Sequence, residues 1–284
     1  MSDYSDHQVE CIVKLGGRAI THKERHETAN TEAIQSAGAL FCDTGIGKFI
    51  AVHGAGSFGH FEAKKYGVAT GYRNSDGLTS PVKQVQMGLC KTRLSVTKLN
   101  HLLVSEFVQQ GIPAVGMSPF NSYITNSKDS FKHADLDVLS QSLDEGYLPV
   151  LHGDAVLDQA TGCSILGGDP LIEKLCCHFK PKRVVFLTDV NGVYDRPPDQ
   201  QGANHIPQIT VNQDGHIATI LATSMSDHDV TGGIMGKIDC ACRIVKHSKG
   251  RTKVFIGKLE STYSKDLVRN GMSKPEMMTE ICYQ

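Results

Sequence analysis

The sequence predicts an α/β fold, a mostly parallel sheet with helices on both faces. Short β-branched runs recur along the chain, and most are followed by a stretch of helical periodicity. One run, Val184-Val185-Phe186-Leu187, is apolar without interruption. Strands that alternate with helices pair in parallel, and the central strands of such a sheet are buried on both faces.

In chain order, the run 11–15 is the first strand and a helical pattern over 25–42 follows it. The run 49–53 is the second strand, with a short helix over 60–66 behind a glycine-rich turn. A long amphipathic stretch over 83–110 leads to the strand 114–117, and a helix over 133–145 leads to the strand 148–152. Residues 155–166 carry Gln159-Ala160-Thr161-Gly162 between short apolar pieces and read as a hairpin. A helix over 169–179 leads to the buried strand 184–188, and 196–204 is a polar loop rich in proline and glycine. Residues 206–220, with Asp214-Gly215 between apolar pieces, read as a second hairpin. A helix over 236–248, a strand over 253–256 and a helix over 262–270 complete the pattern, and no internal repeat is present.

The chain has 284 residues, 40% hydrophobic and 21% charged, enough to bury a substantial core in one large domain or two small ones. Its 29 basic and 30 acidic residues leave a net charge of −1, so no global field attracts nucleic acid or an anionic membrane. Any chemistry on anions must come from a few locally placed cations. No apolar run is long enough to span a bilayer, and the N-terminal MSDYSDHQVE has neither signal-peptide nor transit-peptide character. The nine cysteines are odd in number, scattered and without a CxxC pair, which fits reduced, mostly buried thiols and a cytoplasmic location.

The chemistry sits on glycine-rich turns at the carboxyl ends of strands, where open α/β sheets bind ligands. Lys14-Leu15-Gly16-Gly17 closes the first strand, and its glycines let backbone N–H groups approach a phosphate beside the lysine. His53-Gly54-Ala55-Gly56-Ser57-Phe58-Gly59-His60 closes the second. Its glycine spacing matches the dinucleotide fingerprint, but it follows the second strand, and no strand precedes the acidic residue Asp76. Anion cradling at a helix start needs only the turn and survives that objection. His53 and His152 end strands and read as buried, hydrogen-bonded side chains. Further turns are His152-Gly153-Asp154, Gly167-Gly168-Asp169-Pro170, where Asp169 reads as a helix N-cap or a functional carboxylate, and Thr188-Asp189-Val190-Asn191-Gly192-Val193-Tyr194. The last, Thr231-Gly232-Gly233-Ile234-Met235-Gly236-Lys237, delivers a lysine to a helix start, against the helix dipole. The P-loop is absent, because Phe49 and Ile238 stand where Ser or Thr would follow the GK pairs at 47–48 and 236–237.

Taken together and in order, KLGG, HGAGSFGH, IPAVGMSP, PVLHGDAVLD, GGDP, FLTDVNGVY and DVTGGIMGKI resemble the amino acid kinase superfamily, and within it the isopentenyl phosphate kinases. The histidine-ended HGAGSFGH is the narrower signal, since it is similar to those kinases and to the related fosfomycin-resistance kinases. The resemblance implies a three-layer α/β/α sandwich forming a single domain over 1–284. It implies two lobes, an acceptor lobe to about residue 180 and an ATP lobe beyond it, and a homodimer. It implies ATP and Mg²⁺ as cofactors and isopentenyl phosphate, with dimethylallyl phosphate as a further acceptor, as substrate.

By the same resemblance Lys14, Lys23 and Lys237 act on the transferring phosphoryl, Asp169 holds the lysines and His60 contacts the acceptor phosphate. Lys14, Gly16, Gly17, Gly56, Gly236 and Lys237 contact the ATP phosphates, and Thr188, Asp189, Gly192 and Tyr194 lie near the nucleoside. Ala55, Gly56, His60 and Gly153 line the acceptor phosphate, and no protein cage is expected for the metal. An apolar tail pocket is expected from the helix after Pro81, with Val82, Val85, Met87 and Leu89 as candidates. The sequence departs from the family pattern at Arg18, at Gly168 and Pro170 flanking Asp169, and at Ile234. A kinase of the same fold with another acceptor, and a nucleotide sensor without turnover, are the competing readings.

Overall fold

The computed structural model describes residues 8–22, 24–42, 47–127, 130–215, 217 and 232–284. Among them the strands are β1 (Cys11–Leu15), β2 (Phe49–His53), β3 (Arg73–Asn74), β4 (Gly77–Leu78), β5 (Ala114–Met117), β6 (Tyr123–Thr125), β7 (Phe131–Ala134) and β8 (Leu148–His152). They continue as β9 (Asp154–Asp158), β10 (Gly162–Leu166), β11 (Arg183–Thr188), β12 (Val193–Tyr194), β13 (His205–Ile206), β14 (Gln208–Val211), β15 (Lys253–Lys258) and β16 (Met278–Tyr283). The helices are α1 (Gly17–Ile20), α2 (Thr31–Ala39), α3 (His60–Lys65), α4 (Val82–Gln109), α5 (Asp137–Asp144), α6 (Gly168–Phe179), α7 (Gly232–Ser248) and α8 (Ser264–Asn270).

The main sheet has the order β14-β16-β15-β11-β1-β2-β8-β5. It is parallel throughout except between β15 and β16. Side chains alternate across it, so β1 divides between two cores. Ile12 joins Ile50, Val52, Val184, Phe186 and Ile256 under α6 and α7. Cys11, Val13 and Leu15 join Ala51, Val185 and Leu187 under α1, α2, α4 and α8. Lys14 follows Ile12 by two residues and therefore emerges on the α6–α7 face. Such β-branched strands, buried on both sides, give the continuous apolar runs that made them legible. A second sheet, β10-β9-β6-β7, stands beside the first.

The predicted central strands and the hairpin at 155–166 are present, the latter as β9 and β10. Three predicted elements differ. The helix predicted over 25–42 is confined to α2, where the Asn30 side chain accepts from the Ala33 N–H and fixes the start. Residues 131–134 are strand rather than helix, since β7 pairs with β6; its polar residues Lys132 and His133 are exposed and Phe131 and Ala134 half-buried. The segment 206–220 forms only one antiparallel bridge, Val211↔Ile217, among the described residues. Instead β14 joins the sheet edge beside β16, and Ile206 pairs with Val193.

Candidate active site

The candidate site lies where β1, β2, β8 and β11 end side by side. The strand ladder continues into the turns: the Gly16 N–H donates to Leu187 O (2.8 Å), Gly54 to Leu15 O (3.0 Å) and Gly153 to His53 O (3.0 Å). Gly17 and Gly56 approach each other so closely that a Cβ on Gly17 falls 2.4 Å from Gly56 N. Gly56 itself has φ +56°, a left-handed conformation suited to glycine. Thr21 ties the two turns together, since its Oγ1 donates to Gly17 O (2.7 Å) and accepts from the Ser57 N–H (3.0 Å). Two glycine turns thus form one backbone surface at the sheet's carboxyl edge.

Lys14, almost fully buried, donates its Nζ to Asp169 Oδ1. Gly168 makes room for this, because a Cβ there lies 3.3 Å from Lys14 Cε. Asp169 is not the N-cap. Gly167 occupies that position without a side-chain hydrogen bond, and the carboxylate sits in the first turn of α6 with its oxygen on the lysine. An anion there is also favoured by the helix dipole.

Lys237 arrives from α7. Its helix begins at Gly232, so the lysine lies in the second turn, and the cost of opposing the dipole is smaller than the sequence suggested. Burial and the Lys14 ammonium, with Arg18 adding to them, hold the Lys237 ammonium below the ordinary lysine range, against the pull of Asp169 and Asp189. Four charged groups from four segments therefore converge on Lys237. A dense cationic centre whose charges disfavour one another accepts a polyanion readily, since the anion relieves the repulsion. Arg18, visible in the sequence only as a departure, belongs to this centre.

Asp189 follows β11 and accepts from its neighbour, Thr188 Oγ1 (2.7 Å). Gly192 and Tyr194 pack against residues of β16 and β13. A Cβ on Gly192 meets Thr279 Oγ1 at 2.5 Å, and the Tyr194 ring meets His205 edge-on at 5.2 Å. His60 opens α3 and is exposed, at the far end of the turn that begins with His53, and Ala55 is half-buried within that turn. A Cβ on Gly236 falls 4.0 Å from Asp169 Oδ2, and one on Gly153 falls 3.6 Å from Gly168 N. Lys23 lies outside the described residues, as does the 229–231 part of DVTGGIMGKI. Among the described residues no group of three or more His, Cys, Asp or Glu is placed to hold a metal.

The strand-end histidines are buried and hydrogen-bonded, as the sequence predicts. Each donates its Nδ1–H to the carbonyl of the glycine after it, Gly54 or Gly153, at 3.0 Å. Asn100 on α4 donates to His53 Nε2 (3.1 Å) and to Val150 O (3.1 Å), and the two imidazoles stack with centroids 5.5 Å apart. The pair thereby sets the carbonyl orientation of two turns. Burial, reinforced by His152, pushes His53 down to about 3 from 6.5. Its ring stays neutral in the folded chain while the unfolded chain takes up a proton, so stability falls as pH drops below about 6.5. Between pH 7 and pH 5 this ring is expected to cost about 2 kcal/mol. Urea titrations of the parent and His53→Asn at both pH values check this; equal pH dependence in the two proteins would remove His53 as the source.

Not foreseen from the sequence is a second polar cluster, built around a buried carboxylate. The Asp154 carboxylate accepts from Ser118 Oγ (2.7 Å) and lies 3.5 Å from Arg93 Nε, and the Arg93 guanidinium stacks 4.0 Å from the Phe120 ring. It joins α4, β9 and the segment after β5 close to His152. Of the expected tail-pocket residues, Val85 is buried, with Leu89 packed against it, in a small core with Val68, Ala155 and Cys163, whereas Met87 is exposed. The nine cysteines are all free, five of them buried. Cys240 donates its thiol to the Asp169 carbonyl (3.5 Å), a packing contact behind the site.

The amino acid kinase family model matches residues 10–258. An isopentenyl phosphate kinase from Arabidopsis thaliana is 37% identical over 93% of this chain and 91% of its own length. One from Methanothermobacter thermautotrophicus is 33% identical over 80% and 84%. A solved isopentenyl phosphate kinase superposes with a TM-score of 0.75 at 25% identity, covering 95% of this chain and 99% of that one. The carbamate kinase from Giardia lamblia shares the fold alone, with a TM-score of 0.65 at 13% identity. The ordered turns, the Lys14–Asp169 pair and these relatives agree: the chain belongs to the amino acid kinase family, and within it to the isopentenyl phosphate kinases.

Proposed function

We propose that the chain transfers the γ-phosphoryl group of ATP to the phosphate of isopentenyl phosphate, giving ADP and isopentenyl diphosphate. The observation that carries this is the convergence of Lys14, Asp169 and Lys237 on two interlocked glycine turns. Both reactants are anions. Each pair of unit charges about 4 Å apart costs about 4 kcal/mol at an effective dielectric of 20, so cations at that distance offset a barrier of the same order. The acceptor oxygen belongs to a phosphate monoester that is already ionised near neutral pH. The reaction therefore needs positioning and charge stabilisation rather than a general base.

Lys14, next to last in β1, stands before the first turn and meets the transferring phosphoryl. Asp169 fixes its ammonium, and Lys237 approaches the donor phosphates from α7. Gly16, Gly17 and Gly56 bring backbone within reach of phosphate oxygens, and Gly153 does the same on the acceptor side. Mg²⁺ supplies charge neutralisation when bound with ATP. With no carboxylate cage among the described residues, phosphate oxygens and water would be its principal ligands.

His60 is assigned to the acceptor phosphate. A charge-assisted hydrogen bond of about 1.5–3 kcal/mol corresponds to about 10–100-fold in affinity. His60→Ala is expected to raise KM for isopentenyl phosphate by that factor while KM for ATP stays within about twofold. Unchanged acceptor affinity by calorimetry would refute the assignment. ADP release measured with isopentenyl phosphate, dimethylallyl phosphate and fosfomycin side by side tests the function itself. Turnover with fosfomycin alone selects the phosphonate reading, and ATP binding without ADP release on any acceptor selects a sensor.

A further inference from the structure

A cavity of about 570 Å³ opens at the opposite end of α6 and α7 from the lysine cluster. Its size is that of a small-molecule site. Cys176, Pro181, Ile244 and Thr252, all buried, give it a largely apolar floor. Its rim carries Lys180, Lys246 and Arg251, together with His247. The carboxylate among the lining residues, Glu173, is occupied by Arg243, which reaches it from α7 with Nε at 3.0 Å and Nη2 at 2.6 Å.

Cations at helix C-termini ordinarily answer the helix dipole, and Arg251 does so in part, donating its Nε to Ser248 O at the end of α7 (3.0 Å), while Lys246 donates to the loop carbonyl Asp214 O. Among the described residues, however, no carboxylate pairs with Lys180, Lys246 or Arg251. Three cations without a carboxylate partner among the described residues, set around an apolar floor, match a ligand with a hydrocarbon body and an anionic head. Inorganic anions leave the floor wet, and neutral hydrocarbons leave the rim unpaired.

We infer that this cavity binds an amphipathic anion, a hydrocarbon chain bearing a phosphate or diphosphate, and that its occupancy is felt at the catalytic centre. The route is short. α6 carries Asp169 in its first turn and Cys176 at the cavity, and α7 carries Lys237 near its start and Ile244 and His247 at the cavity. The Glu173–Arg243 pair spans the two helices between these ends. A ligand seated between the C-terminal halves biases the separation of the N-terminal halves, and with it the placement of Lys237 against Asp169. Coupling of this kind is reciprocal, so ATP affinity changes when the cavity fills. The binding site stands on its own geometry; its effect on turnover rests on the proposed kinase activity.

Calorimetry with geranyl diphosphate, pyrophosphate and geraniol separates the two halves of the ligand. Geranyl diphosphate is expected to bind the parent protein, and the double variant Lys180→Glu/Arg251→Glu to bind it at least about tenfold more weakly, the effect of losing two charge contacts. Lys83→Glu, the same type of charge change on α4, keeps the parent affinity. Pyrophosphate and geraniol bind at least tenfold more weakly than the whole molecule. Hydrogen exchange is expected to slow at 173–180 and 243–248 in the parent and not in the double variant. Equal affinity in parent and double variant, or protection confined to the glycine turns, would overturn the site. If the site holds, inhibition that is mixed against ATP and vanishes in the double variant supports the coupling. Inhibition purely competitive with the acceptor in both proteins overturns the coupling and leaves the kinase assignment untouched.

Discussion

Lys14→Ala is expected to lower kcat by about 10²–10³, the cost of losing one preorganised group that meets charge developing in the transition state. The expectation is specific because Lys14 is held rather than merely present. Its chain passes over Gly168, its Nζ is fixed by Asp169, and its ammonium stands 5.7 Å from the Phe186 ring. A flexible surface lysine pays entropy to reach a substrate; this one has lost that freedom on folding. Removing it also leaves the Asp169 carboxylate, about one quarter exposed, without its cation. The variant therefore carries a negative charge beside incoming phosphates where the parent has a neutral pair. For this reason Asp169→Asn and Lys14→Ala should not be additive: once Lys14 is gone, the carboxylate has lost its hydrogen-bonded ammonium and keeps only its pull on Lys237, and its removal restores part of the loss. Steady-state kinetics of the two single variants and the double variant, with thermal midpoints to show that each folds, check this. Activity of Lys14→Ala within tenfold of the parent would take the lysine out of the reaction.

The central strands were readable because burial on both faces leaves no choice of residue: CIVKL, FIAVH and RVVFLT permit little polarity. The edge formed by β14 and its neighbour β16 was not readable for the opposite reason. β14 and β16 are of mixed polarity and distant in sequence, and only the fold tells Ile209 that its partner is Ile281. The site divides in a similar way. Each glycine turn is visible by itself as a strand ending in small residues. That the first and second turns touch each other, and that Lys14 meets Asp169 across 155 positions, depends on the order β11-β1-β2 and on the entry of α6 over β1. The family resemblance supplied that pairing where composition and spacing left Asp169 as a cap or a carboxylate. The Arg93–Asp154–Ser118 cluster carries no motif, and its members become neighbours only after α4 crosses the end of β9.

Gly17→Ala is expected to abolish most activity, by about 10² or more, without touching any charged group. Its Cβ would meet Gly56 N at 2.4 Å, Gly56 Cα at 2.7 Å and Gly54 C at 3.3 Å. All three are backbone atoms, so no side chain can swing aside, and one turn must move away from the other. The movement needed is on the order of 1 Å, and a displacement of that size at reacting groups costs about 10²-fold. Overpacking of this kind lowers stability by about 1–3 kcal/mol. Gly167→Ala is the matched comparison. It lies in a neighbouring turn with φ −70°, and its Cβ would find only Pro170 Cδ at 3.6 Å, an ordinary contact. That variant should keep activity and thermal midpoint near those of the parent. If both alanines are tolerated alike, the close approach of the first two turns is a packing convenience and the phosphates are positioned by the lysines alone. If Gly17→Ala fails while still binding ATP, the interlocked backbone is what aligns donor and acceptor, and the cations act on a geometry that the glycines have already set.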